Sequence, residues 1–493
     1  MASTILFTIA VAVPSYLVTL CFYRLYWHPL AGIPGPRLAA LTVWYETYFE
    51  LLHKWLGGQY TFHIKELHRK YGPIVRISPR EVHIDDPDFY STIYTNKRGL
   101  DKPDYLKWRF GAPSALFSTP EHDLHRMRRA AQEPFFAKAR IVELSSLIQA
   151  KADKMCVRLA NDFMDRGRPV TLDNLFASYI ADVTTQYSFD RDFDWLGHAN
   201  FESPFLRAIR GFKDMAHPCS QFPWLARALA ATPHSLVRLL QPSVSCVLDF
   251  QEEMRRLVRQ TQSDLEMTDR GKERAPEADR TIVHGILHSD LPEEELQLEL
   301  LKDHAVSLVG AGIASAQWTL TIALFHIVSD RNVYARLKSE LQTAMPDLNV
   351  HVPVTVLEKL PYLAACVDEA LRLACGQMTR SPRISKKPIT YATHVLSPGT
   401  HISLDTWHMH HNEVLYPDSF SFTPERWLDD PRAPAPYHSR PLKRYMVAFG
   451  KGTRRCIGEN LGRAEITIAL ASLFRRFDWE LRHEAEPRGQ GVG

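Results

Sequence analysis

Apolar and polar positions divide the chain into an apolar run of membrane length, a long helical region and short strand-like stretches on either side of it. Ile5 to Tyr23 is almost wholly apolar and uncharged. At 1.5 Å per residue it reaches about 28 Å, close to the depth of a bilayer core. Pro14 lies inside it, which membrane helices tolerate. Tyr60–Tyr71 reads as a helix, followed by β-like runs at Ile74–Ile77 and Val82–Ile84. Helical patterns dominate from Ile141 to Met345. Within them, Leu298 to Ile327 is apolar on nearly every face, the pattern of a buried helix. Glu266–Asp279 is polar and charged and predicts an exposed loop. Strand-like pieces return at Ile389–Tyr391 and His401–Leu404, with Ser397-Pro398-Gly399 as turn chemistry between them. The expected fold is mainly α with small β-sheets near both ends of the soluble part. No internal repeat or low-complexity tract interrupts it.

The start of the chain divides further. Residues 5–23 predict a transmembrane anchor. A cleaved signal peptide would need an early positive region and a small-residue cleavage site, but the first charge is Arg24. Arg24 and Arg37 flank the run on its C-terminal side, so the rest of the chain is expected to face the cytosol. Residues 24–40, with His28-Pro29 and Ile33-Pro34-Gly35-Pro36, form a stiff proline-rich hinge in which a helix cannot continue. A single domain, 41–493, follows.

The 493 residues are enough for a substantial core. The net charge of +3 gives no basic field that argues for nucleic acid. Seven scattered cysteines, Cys21, Cys156, Cys219, Cys246, Cys366, Cys375 and Cys456, without a C-x-x-C, exclude a secreted disulfide framework. His408, His410 and His411 lack zinc-site spacing and read as structural or surface residues.

The segment Phe449-Gly450-Lys451-Gly452-Thr453-Arg454-Arg455-Cys456-Ile457-Gly458 carries the chemistry. A Cys456 thiolate there is placed to ligate a haem iron. The glycines admit close approach of backbone to a flat macrocycle. The arginines can pair with carboxylates on its rim. The competing reading is a buried free cysteine in a basic loop. Two further pieces are weaker alone. Glu369 and Arg372 are three apart and share a helix face. Val309-Gly310-Ala311-Gly312-Ile313-Ala314-Ser315-Ala316 puts two glycines into the long apolar helix, permitting a kink or close approach of a cofactor.

Phe449–Gly458 resembles the F-x-x-G-x-R-x-C-x-G signature of the cytochrome P450 superfamily, whose haem is held by a Cys thiolate. The resemblance covers nearly the whole chain. It implies a single-domain P450 fold, haem b (iron protoporphyrin IX) as cofactor and Cys456 as the metal ligand, with Phe449 in the cysteine loop. Glu369-Ala370-Leu371-Arg372 matches E-x-x-R, and Pro424-Glu425-Arg426-Trp427 matches P-E-R-W. By resemblance Glu369, Arg372 and Arg426 form a buried structural triad. His122-Asp123-Leu124-His125-Arg126-Met127-Arg128-Arg129 aligns with the family's Trp-x-x-x-Arg. His125 takes the Trp position and, with Arg129, is expected on a haem propionate. Arg383 and Arg454 are the other expected propionate partners.

Two departures stand out. The usual A-G-x-D/E-T-T/S has Ala314 where the acid is expected and Ser315 where the alcohol is expected. Ser315 can supply the hydroxyl near dioxygen, but Ala314 relays no proton. Either water or another acid substitutes, or oxygen activation is impaired. After Phe474–Leu481, the charged and Gly-rich His483–Gly493 leaves the family's C-terminal hairpin shortened or absent.

The resemblance implies a monooxygenase that hydroxylates or epoxidises an apolar substrate with dioxygen. Substrate is expected between the Leu100–Thr119 loop, the central helix and Met378-Thr379. No Rossmann G-x-G-x-x-G or other flavin motif is present. Electrons are therefore expected from NADPH through a membrane-bound diflavin reductase, with cytochrome b5 as a further donor. The expected location is the endoplasmic reticulum membrane, single-pass. Tyr26-Trp27-His28-Pro29, Lys70-Tyr71-Gly72-Pro73-Ile74-Val75-Arg76 and Asp86-Pro87-Asp88-Phe89-Tyr90 look like fungal secondary-metabolism members, similar to trichodiene-oxygenase-like enzymes. A terpenoid or polyketide substrate follows from that. The alternatives are a haem-thiolate isomerase or dehydratase needing no external electrons, and a degenerate, non-enzymatic haem protein.

Overall fold

The computed structural model describes residues 1–53, 57–270, 281–348, 350–428 and 440–482. Its main elements in chain order are α1 (Ala2–Phe22), α2 (Tyr60–Tyr71), β1 (Ile74–Arg76), β2 (Glu81–Ile84), α3 (His122–Gln132), α4 (Lys138–Leu159), α5 (Leu172–Phe189), α6 (Pro204–Gln221), α7 (Pro242–Arg270), α8 (Leu298–Ser329), α9 (Arg331–Ala344), α10 (Pro361–Ala374), β3 (Arg383–Ile384), β4 (Ile389–Tyr391), β5 (His394–Leu396), β6 (His401–Ser403), α11 (Thr406–His410) and α12 (Glu459–Arg476). Shorter helical turns link them. The mainly helical expectation with small sheets holds.

Local chemistry sets several boundaries. Gly72, at φ +96°, ends α2 in a conformation that favours glycine. The Asp330 carboxylate accepts from the Asn332 and Val333 N–H groups and opens α9. Pro361 sits at the first position of α10, where its missing N–H costs nothing.

α8 is the central pillar. It packs on α5, α7, α10 and α12, with Val309, Ile313, Leu320 and Leu324 in the core. Two described helices are long and apolar enough to cross a membrane, α8 and the Thr4–Trp27 span that contains α1. Only the latter stands clear of the rest of the protein. The segment after it docks on the sheet. Leu30 and Ile33 join the core there, the Arg76 N–H donates to the Pro34 carbonyl at 2.7 Å, and a side chain on Gly35 would collide with Arg76 O.

The larger sheet has the order β1-β2-β6-β3, with β2 and β6 parallel and both outer pairs antiparallel. Val82 faces Ile402, which also faces Arg383. The sheet thus joins the two ends of the soluble part. β4 and β5 form a separate hairpin, Thr390 opposite Val395. The expected strands at 389–391 and 401–404 therefore lie in different sheets, with an unforeseen strand between them. Ser397-Pro398-Gly399 connects β5 to β6, and Gly399 has φ +83°. The polar stretch at 266–279 was expected to be loop, but α7 continues to Arg270; residues 271–280 lie outside the described residues. So does the tail 483–493, where a shortened hairpin was expected.

Candidate functional site

The cysteine loop leaves Phe449, turns through Gly450 (φ +66°) and Gly452 (φ +77°) and delivers Cys456 just before α12. The Cys456 N–H donates to the Phe449 carbonyl at 2.8 Å, closing the loop. Phe449 itself lies half-buried beneath the Arg463 guanidinium, 5.3 Å from its ring. The glycine at 452 was expected to clear space for a macrocycle. Its need is different: a Cβ there would lie 2.5 Å from the Thr95 backbone nitrogen. Chain packs on chain at this point, in a left-handed conformation.

Cys456 is exposed, though dense protein surrounds its loop. Burial pushes its pKa up, while the Gly458 N–H on the sulfur and the nearby Arg129 and Arg455 pull it down. Cys156 and Cys375, closed into the core, have no such donor and rise to about 12. All seven cysteines carry free thiols.

Around Arg454 of this loop stands a cluster of basic side chains. Arg454 donates to the carbonyls of Thr119, at 2.6 Å, and Pro120, while its Nε is buried without a partner. Burial and Arg383 hold its pKa down to about 9; Asp101 and Glu121 offset this only partly. His125, on α3, is buried with Nδ1 unpartnered. Burial, then Arg454, Lys102, Arg129 and Arg383, push its pKa down to about 2. Arg383 donates to Ser381 and lies over the Tyr94 ring. Lys102 completes the group; its Nζ donates to the Phe117 carbonyl at 2.7 Å, and its pKa is driven far down by burial and by Arg383 and Arg454.

Three basic side chains repelling one another, Arg454, Arg383 and Lys102, with the neutral imidazole of His125 among them, are what a dianion would relieve. A haem carries two propionates, and an open thiol beside such a cluster fits it. Arg129 stands to one side: it donates to the Arg455 carbonyl at 2.8 Å and pairs with Glu133 at 3.3 Å. Sequence reasoning missed Lys102, a lone cation with no motif around it.

On α8, Ala311 and Ser315 share one face and are open, though Ile313 between them and Ala316 beyond are buried. Ser315 Oγ donates back to the Ala311 carbonyl at 2.9 Å. The carboxylate that reaches α8 is Asp173, which accepts from Gln317 Nε2 at 2.8 Å. Gln317 is two positions from Ser315, about 200° round the helix, so Asp173 serves the opposite face.

Behind the cysteine loop, Glu369 and Arg372 form a buried two-pronged pair at 2.8 and 2.9 Å, joined by Arg426 at 3.2 Å. Trp427 Nε1 and the Thr423 N–H also donate to Glu369, each at 2.9 Å. The expected triad is thus assembled. His410 ties it to the loop: Nδ1 donates to the Arg372 carbonyl at 2.9 Å, and Nε2 accepts from the Val447 N–H at 3.0 Å. His408, His410 and His411 are all buried. The surface alternative fails for them because α11 is folded against α2, β2 and α10.

A family model described as Cytochrome P450 matches residues 43–490. Among similar proteins, the cytochrome P450 monooxygenase orf6 of Eupenicillium brefeldianum is 37% identical over 474 residues, covering 96% of this chain and 92% of its own. The cytochrome P450 monooxygenase sdnE of Sordaria araneosa is 37% identical over 486 residues, 98% of this chain and 93% of its own. The N-acetyltryptophan 6-hydroxylase ivoC of Emericella nidulans is 33% identical over 470 residues, 94% and 89% respectively.

Proposed function

The chain belongs to the cytochrome P450 family, and from that premise we propose that it is a membrane-anchored haem-thiolate monooxygenase acting on an apolar secondary metabolite. The observation that carries this is the exposed thiol of Cys456 in the same loop as Arg454, around which Arg383, Lys102 and the neutral imidazole of His125 crowd. Cys456 would hold haem b by its sulfur, and Arg454, Arg383, Lys102 and His125 its propionates, with Arg129 at the margin. When bound, the haem binds dioxygen and activates it with two electrons, the thiolate favouring O–O cleavage.

The chain's own residues do the rest. The Gly458 N–H stabilises the sulfur as an anion. Arg454, Arg383 and Lys102 would pair with the haem carboxylates. Ser315 holds a hydroxyl on the open face of α8 and can pass a proton onward through solvent. The Leu100–Thr119 loop, α8 and Met378-Thr379 form the substrate's surroundings. Redox partner, substrate and dioxygen follow from the family. The finer reading is an NADPH-dependent diflavin reductase, or cytochrome b5, at an endoplasmic reticulum membrane, and a terpenoid or polyketide substrate hydroxylated or epoxidised on the cytosolic side.

Ala314 and the outward-facing Asp173 favour one alternative, an isomerase or dehydratase that needs no external electrons. Turnover without NADPH and reductase selects it. The primary test is the reduced, CO-bound absorption spectrum. The wild-type protein shows the strongly red-shifted band of thiolate ligation, and Cys456→Ser loses it. A wild-type spectrum of nitrogen-ligated haem overturns the assignment.

A further inference from the structure

Far from the cysteine loop in sequence, α2, β2 and α11 bring three buried histidines together. Their nitrogens approach within 4.8 Å of one another. His83 and His408 are 0% and 2% exposed. The carboxylate of Asp405, the residue that caps α11, lies among them: Oδ1 accepts the His408 N–H at 2.7 Å, leaving Oδ2 free to face the rings.

The hydrogen bonds fix each ring's tautomer. His68 Nδ1 lies 2.8 Å from the Gly72 carbonyl, which only accepts, so that nitrogen carries the proton and Nε2 carries the lone pair. That lone pair, 2.7 Å from His83 Nδ1, places the His83 proton on Nδ1 and its lone pair on Nε2. His408 Nε2 lies 3.0 Å from the Thr61 carbonyl, which leaves its lone pair on Nδ1.

Two imidazole lone pairs therefore face one carboxylate oxygen. His83 Nε2 and His408 Nδ1 stand 3.1 and 3.5 Å from Asp405 Oδ2. All three are acceptors, and acceptors repel one another at that range unless a positive particle lies between them. Among the described residues, no donor reaches His408 Nδ1. A proton shared by His83 and Asp405 would satisfy those two and still leave His408 Nδ1 unserved. A metal ion would satisfy all three.

We propose that His83 Nε2, His408 Nδ1 and Asp405 Oδ2 form a binding site for a divalent transition-metal ion of the zinc class. Bonds of 2.0–2.2 Å to a tetrahedral ion put neighbouring ligand atoms about 3.3 Å apart, which matches the two separations found. Each imidazole's other nitrogen is already held, His83 by His68 and His408 by Thr61, as ligating histidines are normally oriented. A water-sized cavity bounded by Asp85, Asp86, Asp405 and His408 touches two of the three ligating residues, where a fourth ligand would enter. Asp85 adds a second carboxylate, with Lys65 3.1 Å away as its counter-ion. Such an ion would clamp β2 to α11, joining the two sequence-distant halves of the larger sheet. The site does not depend on the haem-thiolate reading.

The test uses full-length, haem-loaded protein in detergent, stripped with a chelator and equilibrated against buffered Zn²⁺. Elemental analysis is expected to find one more zinc per haem iron in the wild type than in His408→Gln. Zn²⁺ is expected to raise the unfolding temperature of the wild type alone. Equal zinc in two proteins with the same reduced CO spectrum overturns the proposal. If His408→Gln does not fold, the zinc absorption-edge spectrum of the wild type decides. A shell of two imidazole nitrogens and carboxylate oxygen supports the site. A sulfur-containing or purely aqueous shell, or no retained zinc, refutes it.

Discussion

At the residue scale, Arg454 shows how this protein stores affinity for an anion. Its guanidinium is partly buried, beside Arg383, Lys102 and His125, with the buried Nε unpartnered. Charge-assisted hydrogen bonds are worth about 1.5–3 kcal/mol each. Arg454→Met is therefore expected to raise the haem dissociation rate about tenfold to a hundredfold, read by transfer to apomyoglobin. An unchanged rate would place the propionates elsewhere. Arg454 and His125 were legible from motif position. Lys102 was not, because only folding of the 100–119 loop carries it to the others. Gly452 was legible as a required glycine, but the reason, contact with the Thr95 backbone, needed the fold.

At the element scale, α8 and α10 divide the work. On α8, among the described residues, the open Ser315 hydroxyl bonds to the Ala311 carbonyl and to no carboxylate. Ser315→Ala is expected to leave the reduced CO spectrum unchanged while lowering product formed per NADPH consumed, measured against a turned-over substrate. Unaltered coupling would remove Ser315 from proton delivery. On α10, Arg372 is 0% exposed and spends its donors on Glu369 and on the carbonyls of His410, Ser419 and Ser421. Arg372→Met strands Glu369 as a buried charge, a loss of about 3–5 kcal/mol. Denaturant unfolding should record it, together with loss of the red-shifted CO band as the His410–Val447 link to the cysteine loop fails. A stable variant with an intact band would show that the triad does not support the loop.

At the scale of the whole molecule, burial of neutral histidines ties stability to pH. Burial, chiefly, holds His304 and His410 at about 3. Unfolded, each titrates near 6.5. Between those values the unfolded chain binds more protons than the folded one, so stability is full above about pH 6.5 and declines as pH falls. The unfolding temperature of the haem-loaded protein should therefore drop steadily from pH 6.5 to 5, a window above ordinary carboxylate titration. A flat profile there would contradict neutral burial. The sequence by itself determined the anchor-length span, the helical class, the cysteine loop and the E-x-x-R pair, because each is written in residues close together along the chain, where periodicity and spacing act directly. Tertiary structure alone decided which basic side chains gather around Arg454, that Asp173 serves the far face of α8, and that His68, His83, Asp405 and His408 meet. Those groups come from segments hundreds of residues apart, and only the parallel pairing of β2 with β6 and the docking of α11 convert their separation into contact.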